Sequence, residues 1–147
     1  MERHIALSLT RKSGIQSQED KIMEFWIYML IMVLLIPCSM IGFGKLFLKH
    51  PPKDINAVFG YRTKMSMKNK DTWDFAHKHC GKLWYVGGIV LLPLSAAAML
   101  CTLGKSTDFT GTVGGIICAV QLIVAIGSFF PTEAALKKNF DKNGNRK

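Results

Sequence analysis

Hydrophobic and polar positions in this chain fall into blocks rather than alternating. Three blocks carry no charged residue: Phe25–Gly44, Leu83–Leu103 and Gly111–Phe130. Each is about 20 residues long, the length at which a helix crosses the roughly 30 Å hydrocarbon core of a bilayer. A chain of 147 residues is normally one domain, and a soluble core of that size cannot bury three such helices. The blocks predict an all-α membrane protein with three transmembrane helices.

The first helix opens on Phe25, Trp26 and Tyr28, and the second on Trp84 and Tyr85, aromatic residues suited to the headgroup level. Pro37 predicts a kink in the first helix, and Pro93 lies inside the second. Gly42 and Gly44 read as the end of the first helix, and His50-Pro51-Pro52 forbids its continuation. The third helix is expected to end at Phe129-Phe130-Pro131. The short segment Gly104–Thr110 makes the second and third helices antiparallel neighbours.

Lipid gives helices no hydrophobic reason to associate, so small residues and interhelical hydrogen bonds must carry their contacts. Gly114, Cys118, Gln121, Ala125 and Ser128 form one such stripe on the third helix. Gly88, Leu91, Ser95, Ala98 and Thr102 form one on the second, with Leu91 its only large member. The two stripes are expected to face each other. Gln121 reads better as a helix–helix hydrogen-bonding group than as part of a transport path. No Asp, Glu, Lys or Arg lies within the three blocks, which argues against a proton-coupled transporter.

Charge adds orientation. The net charge of +9 accompanies 49% hydrophobic residues and a positive mean hydropathy. In a soluble domain that charge would point to nucleic acid; here it is confined to the connections, and no direct nucleic-acid binding is expected. Lys45–Lys82 holds nine Lys and Arg and the segment after Phe130 holds five, against one in Gly104–Thr110 and four before the first helix. The positive-inside rule then places the N-terminus outside and both basic segments in the cytoplasm. The N-terminal Arg3, Arg11, Lys12 and Lys21 oppose this. Gln18-Glu19-Asp20 is encodable as CAG-GAG-GAT, which contains a purine-rich ribosome-binding sequence a short spacer before Met23. Met23 is therefore read as an alternative start, with residues 1–22 a leader or a disordered N-terminus.

Most chemical motifs fail. Cys38, Cys101 and Cys118 sit inside the apolar blocks and only Cys80 in polar sequence, so no disulfide framework is expected. Asp141–Asn145 imitates the opening of a calcium loop, but Arg146 stands where Gly is needed; a frayed tail with an Asn-Gly turn is the expectation. Asp74, His77 and Cys80 share helical spacing, yet form an incomplete metal set, so no metal and no cofactor are expected. No nucleophile–base–oxyanion set and no glycine-rich phosphate loop are present, which argues against an enzyme.

One polar stretch survives this filter. From Ser66 or Asn69 the chain should be helical, with Trp73, Ala76, His77, Cys80 and Trp84 on one face. Such an amphipathic helix would lie near the membrane surface, with Lys68, Lys70, Lys78 and Lys82 toward anionic lipid headgroups. Before it, Gly60 allows a bend, and Tyr61 and Arg62 follow side by side. Arginine binds phosphate or carboxylate through its planar fork. The residues themselves leave open whether this is a basic juxtamembrane loop or a specific binding site.

Pro51–Gly88 resembles the signature of the SdpI family of bacterial membrane proteins. The shared pattern is Asn56, Gly60-Tyr61-Arg62-Thr63, Ser66, Asn69, Trp73, Ala76-His77 and Gly81. The ending from Thr132 also resembles short family members. The chain is similar to the family over most of its length from Met23, as a short three-helix member without the additional hydrophobic half of the longer ones. The resemblance implies immunity to a secreted antimicrobial peptide toxin, or membrane signalling linked to it. It carries Asn56, Gly60, Tyr61, Arg62, Thr63, Ser66, Asn69, Trp73 and His77 as the expected binding set for a peptide toxin or a cytoplasmic regulator. In this reading Arg62 binds an acidic partner or lipid phosphate, Tyr61 and Trp73 shape the site, and Asn56 and Asn69 fix the loop. The alternatives are a small permease lined by Ser95, Gln121 and Ser128, and an assembly partner that uses the small-residue stripes for oligomer contacts.

Overall fold

The computed structural model describes residues 2–56 and 58–147. Among the described residues four helices follow in order: α1 (Glu2–Lys49), α2 (Lys70–Leu100), α3 (Thr107–Gly127) and α4 (Phe129–Asn139). Among the described residues there is no strand, and one isolated bridge pairs Phe140 with Arg146. Three helical stretches, Arg11–Lys49, Lys70–Leu100 and Thr107–Asn139, are long and apolar enough to cross a membrane. The fold is all-helical and of the multi-pass membrane type.

The helix boundaries differ from the sequence expectation, and each difference has a physical cause. α1 does not stop at Gly42 and Gly44 but runs to Lys49. Glycine is tolerated inside membrane helices where a neighbour comes close, and the true stop is the proline pair that follows. At 48 residues α1 is about 72 Å long, more than twice the hydrocarbon thickness of about 30 Å. Residues 11–21 are exposed on every side. The amphipathic segment is likewise no separate surface helix: α2 is unbroken from Lys70 through Gly81 to Leu100. After a break at Ser128, inside the third apolar block, helix resumes as α4, with Pro131 in its first turn, where a missing N–H costs nothing.

α2 is the central element and packs on α1, α3 and α4. Successive contacts give the directions. Gly44 meets Gly81 and Tyr85, and Gly88 meets Pro37 and Ile41; the Trp26 indole donates to Met99 O (3.0 Å). α1 and α2 are therefore antiparallel. On the other side, Gln121 reaches Ser95 (2.6 Å) and the Trp84 indole reaches Ser128 (2.8 Å), so α2 and α3 are antiparallel as well. A Cβ on Gly44 would stand 2.5 Å from the Tyr85 backbone nitrogen and 2.8 Å from Gly81 O. Only glycine allows the two backbones to approach so closely.

Two buried clusters close the ends of this bundle. One joins Trp26, Val33 and Met99, with Met29, Leu30, Ile117 and Cys118 packed around them. The other joins Tyr61, Ala76, Cys80, Leu136 and Phe140. Large apolar side chains such as Ile31, Leu35, Val90, Leu94, Ile123 and Ile126 face outward, as a protein whose solvent is lipid requires.

The small-residue stripes divide their work. Ser95 and Gln121 meet between α2 and α3, and Ala125 O and Ser128 receive the Trp84 indole. Gly88 instead lies against α1 and Gly114 against Met29 of α1. Thr102 accepts from Trp26, again from α1. Leu91 and Ala98 are half-buried. Among the described residues, Gln121 Oε1 is the buried side-chain polar atom left without a partner.

Candidate functional site: a clamped loop that presents Arg62

The loop between α1 and α2 is built from local turns whose ends are then fixed to the helices. Asn56 opens it: its Oδ1 accepts from the Val58 and Phe59 amides (3.0 and 2.8 Å), and its Nδ2 donates to Asp54 O (3.1 Å). This side-chain turn bends the chain into Gly60. Gly60 has φ +118°, and an added Cβ would collide with Nε2 of His77. Both facts demand glycine there.

Thr63 and Ser66 exchange side-chain and backbone bonds. The Thr63 amide donates to Ser66 Oγ (2.8 Å) and the Ser66 amide to Thr63 Oγ1 (3.1 Å). The Ser66 hydroxyl also donates to Tyr61 O (2.9 Å). Asn69 and Thr72 repeat the device as the N-cap of α2, with the Thr72 amide on Asn69 Oδ1 (2.9 Å) and the Asn69 amide on Thr72 Oγ1 (3.1 Å). Such a reciprocal box satisfies donors that a helix start otherwise leaves open. Trp73 closes the far side, its indole donating to Pro52 O (2.8 Å).

His77 sits at the centre, fully buried. Its Nδ1 lies 2.8 Å from Trp73 O, a group that only accepts, so Nδ1 carries the proton. Nε2 is then bare and accepts the Tyr61 amide at 2.9 Å. Both ring nitrogens are used, and the imidazole is held neutral in one tautomer. Phe47 packs edge-on to the ring with centroids 5.0 Å apart, and Trp73 lies at 4.3 Å. With no ring nitrogen left over, His77 offers nothing to a metal.

Tyr61 carries the loop's hold across to α4. The ring is buried and stacks on Phe129 at 4.6 Å; its hydroxyl donates to Phe129 O (3.2 Å), with Glu133 Oε2 at 3.4 Å. Burial first, and then the charge of Glu133, push this hydroxyl well above the usual phenol range.

Arg62 behaves differently from these neighbours. It is exposed, and among the described residues no carboxylate or carbonyl pairs with its guanidinium. It stands at the edge of a cleft of about 430 Å³. α1 supplies one wall of that cleft, α3 and the start of α4 the other, and Cys80 and Trp84 of α2 its floor. The expected set therefore separates by role: Asn56, Gly60, Tyr61, Thr63, Ser66, Asn69, Trp73 and His77 hold the loop, and Arg62 is presented by it.

Three contributors were not visible in the sequence pattern. Glu133 approaches Tyr61 from α4, and Phe47 seals His77. The third is the hold on residues 140–147, expected to be a frayed tail with an Asn-Gly turn: the turn forms as expected, but the segment is tied down rather than frayed. Asp141 Oδ1 accepts the Asn143 and Asn145 amides, each at 2.8 Å, and Gly144 takes φ +88°. The Asn145 amide foremost holds the Asp141 carboxyl below the usual carboxylate range. Asn69 Nδ2 donates to Gly144 O at 2.7 Å, tying this turn to the cap of α2. The Asn-Gly turn was legible in the Asp-Lys-Asn-Gly-Asn run, whereas its attachment to Asn69 carried no local signal.

Comparison with known proteins places the loop in a family. Residues 53–132 match the SdpI/YfhL protein family. The uncharacterized protein YfhL of Bacillus subtilis (strain 168) is 40% identical over 102 residues, covering 67% of this chain and 79% of that protein. No solved structure matches. The matched region takes in the clamped loop, all of α2 and α3 and the start of α4, more than half of the chain, which therefore belongs to the SdpI/YfhL family.

Proposed function

We propose that the protein acts in immunity or resistance to a secreted antimicrobial peptide toxin, or in membrane signalling associated with it, and that the Gly60–Thr63 loop is the working surface. The toxin role is what the resemblance to the SdpI family implies; the geometry favours the loop as its location. The observation that carries the reading is the contrast between Arg62 and its surroundings. Seven neighbours spend polar groups on holding the loop and Gly60 bends it, while among the described residues a guanidinium capable of bidentate binding is left unpaired beside a cleft. Lys45, Lys49, Lys53, Lys64 and Lys68 surround it in sequence, so an acidic group approaching the loop meets a favourable field. In this reading the loop and residues 131–147 face the cytoplasm of a bacterial inner membrane, and the bound partner is the toxin, a cytoplasmic regulator or lipid phosphate.

The test is toxin tolerance in a sensitive host. Arg62→Ala, at unchanged protein level in the membrane, is expected to abolish the protection given by the natural chain. Full protection by Arg62→Ala would remove the loop as the site.

A further inference from the structure

The cleft beside Arg62 has two chemically distinct parts. α1 and α3 run parallel and touch at one end, where Gly114 lies against Met29 and Gly111 against Phe25. Toward the loop they stand apart, and the space between them is walled by Ile36, Met40 and Phe43 on one side and Leu122 and Phe129 on the other. Its volume of about 430 Å³ lies within the roughly 300–1,000 Å³ of small-molecule sites. Leu122 is 50% and Phe43 44% exposed, so the cleft opens sideways toward lipid. Its charged residue is Arg62, and its other hydrophilic side chain outside the loop is Ser39, whose hydroxyl already donates to Ile36 O (2.7 Å).

Apolar walls reached from the bilayer, with one unpaired guanidinium at the end nearest the headgroups, match an amphiphile with a negative head. We propose that the cleft is a binding site for an anionic glycerophospholipid, with one acyl chain between α1 and α3 and its phosphate on Arg62. The proposal rests on the reading of Arg62 as the binding group and names its ligand. A free phosphate would leave the apolar walls unused. A zwitterionic lipid would bring its own cation up to the arginine. The surrounding bilayer supplies the ligand at high local concentration, so a weak intrinsic preference is enough to fill the site.

Trp84 lies on the floor of the cleft, whereas Trp26 and Trp73 are buried elsewhere, which gives a direct readout. The full chain is reconstituted in phosphatidylcholine nanodiscs containing a small fraction of lipid with brominated acyl chains, either phosphatidylglycerol or phosphatidylcholine. Brominated phosphatidylglycerol is expected to quench tryptophan emission at roughly fivefold lower mole fraction, the factor for one basic side chain near an anionic surface. Arg62→Gln should erase that preference. Ser39→Phe, which fills the cleft and leaves Arg62 in place, should weaken quenching by both lipids. Equal quenching by the two lipids, or a preference that survives Arg62→Gln, overturns the proposal. So does loss of the preference in millimolar inorganic phosphate, which would mark a site for the anion alone, or displacement of the lipid by an acidic amphipathic peptide. The two readings fail separately: tolerance lost in Arg62→Ala without any lipid preference sinks the lipid site only. A lipid preference dependent on Arg62 with tolerance intact sinks the toxin role only.

Discussion

Alanine at Gly60 would meet two independent obstacles, and their sum can be worked out. The backbone there has φ +118°, a conformation that costs a residue with a side chain about 1–3 kcal/mol. The new Cβ would also strike His77 Nε2. Because the imidazole is held at both nitrogens, the ring cannot give way without leaving the buried Tyr61 amide unpaired, a further cost of roughly 1–3 kcal/mol. Together these reach about 2–6 kcal/mol, against a typical total stability of about 5–15 kcal/mol. The strain falls on a loop rather than on the bundle, so the expected response is local opening. Hydrogen–deuterium exchange at the Tyr61 amide reads it directly. At about 1.4 kcal/mol per factor of ten, protection should fall by roughly 30-fold to 20,000-fold. The second arm of the test is His77→Ala, which removes the obstructing ring. On that background Gly60→Ala should cost only the backbone part, about 1–3 kcal/mol, so the two substitutions must be non-additive. A Tyr61 amide that stays protected in Gly60→Ala, or costs that simply add, would refute the clamp.

Two further outcomes follow from the same contacts. The Tyr61 phenol titrates above the ordinary value when folded, so it keeps a proton that the unfolded chain releases near pH 10; its contribution is complete below that pH and is lost as pH rises beyond it. Tyr61→Phe should therefore leave the tyrosinate absorbance of the folded protein unchanged through the ordinary phenol range; a drop in that signal would contradict this. Gln121→Leu gives up the bond to Ser95, worth about 0.6–2 kcal/mol between membrane helices, but also removes the unpartnered Oε1. These effects offset, and unfolding in mixed detergent should shift by less than about 1 kcal/mol; a loss above roughly 3 kcal/mol would mean that Oε1 has a partner in the bilayer-embedded protein.

The three crossings were legible because hydropathy over 20 residues is a local property, and the start of α2 was legible because Asn69 caps it through a neighbour three residues away. What the sequence hid depends on distance along the chain. His77 read as a titratable group on an inner helix face, yet its role is set by the Tyr61 amide, a backbone group that no side-chain pattern marks. Gly44 read as a helix end because glycine ends helices in water; inside a bilayer the same residue is kept for the backbone of α2. The stripe from Gly88 to Thr102 was assigned to one neighbour, but the helix is flanked on both sides and its small residues serve α1 and α3 alternately. Arg62 was named from its residue type, and that it has no partner among the described residues became apparent only once the surrounding side chains were seen to be committed elsewhere.

The bond from Asn69 to Gly144 makes one side chain a shared hinge pin. The same amide group that starts α2 through its oxygen grips the turn at residues 140–147 through its nitrogen. A ligand that pulled the Arg62 loop enough to disturb the Asn69 cap would release that turn in the same movement. The basic segment beyond α4 can therefore serve as a pointer for loop occupancy, and a fluorophore placed at Lys142 would register binding events more than 70 positions earlier in the chain.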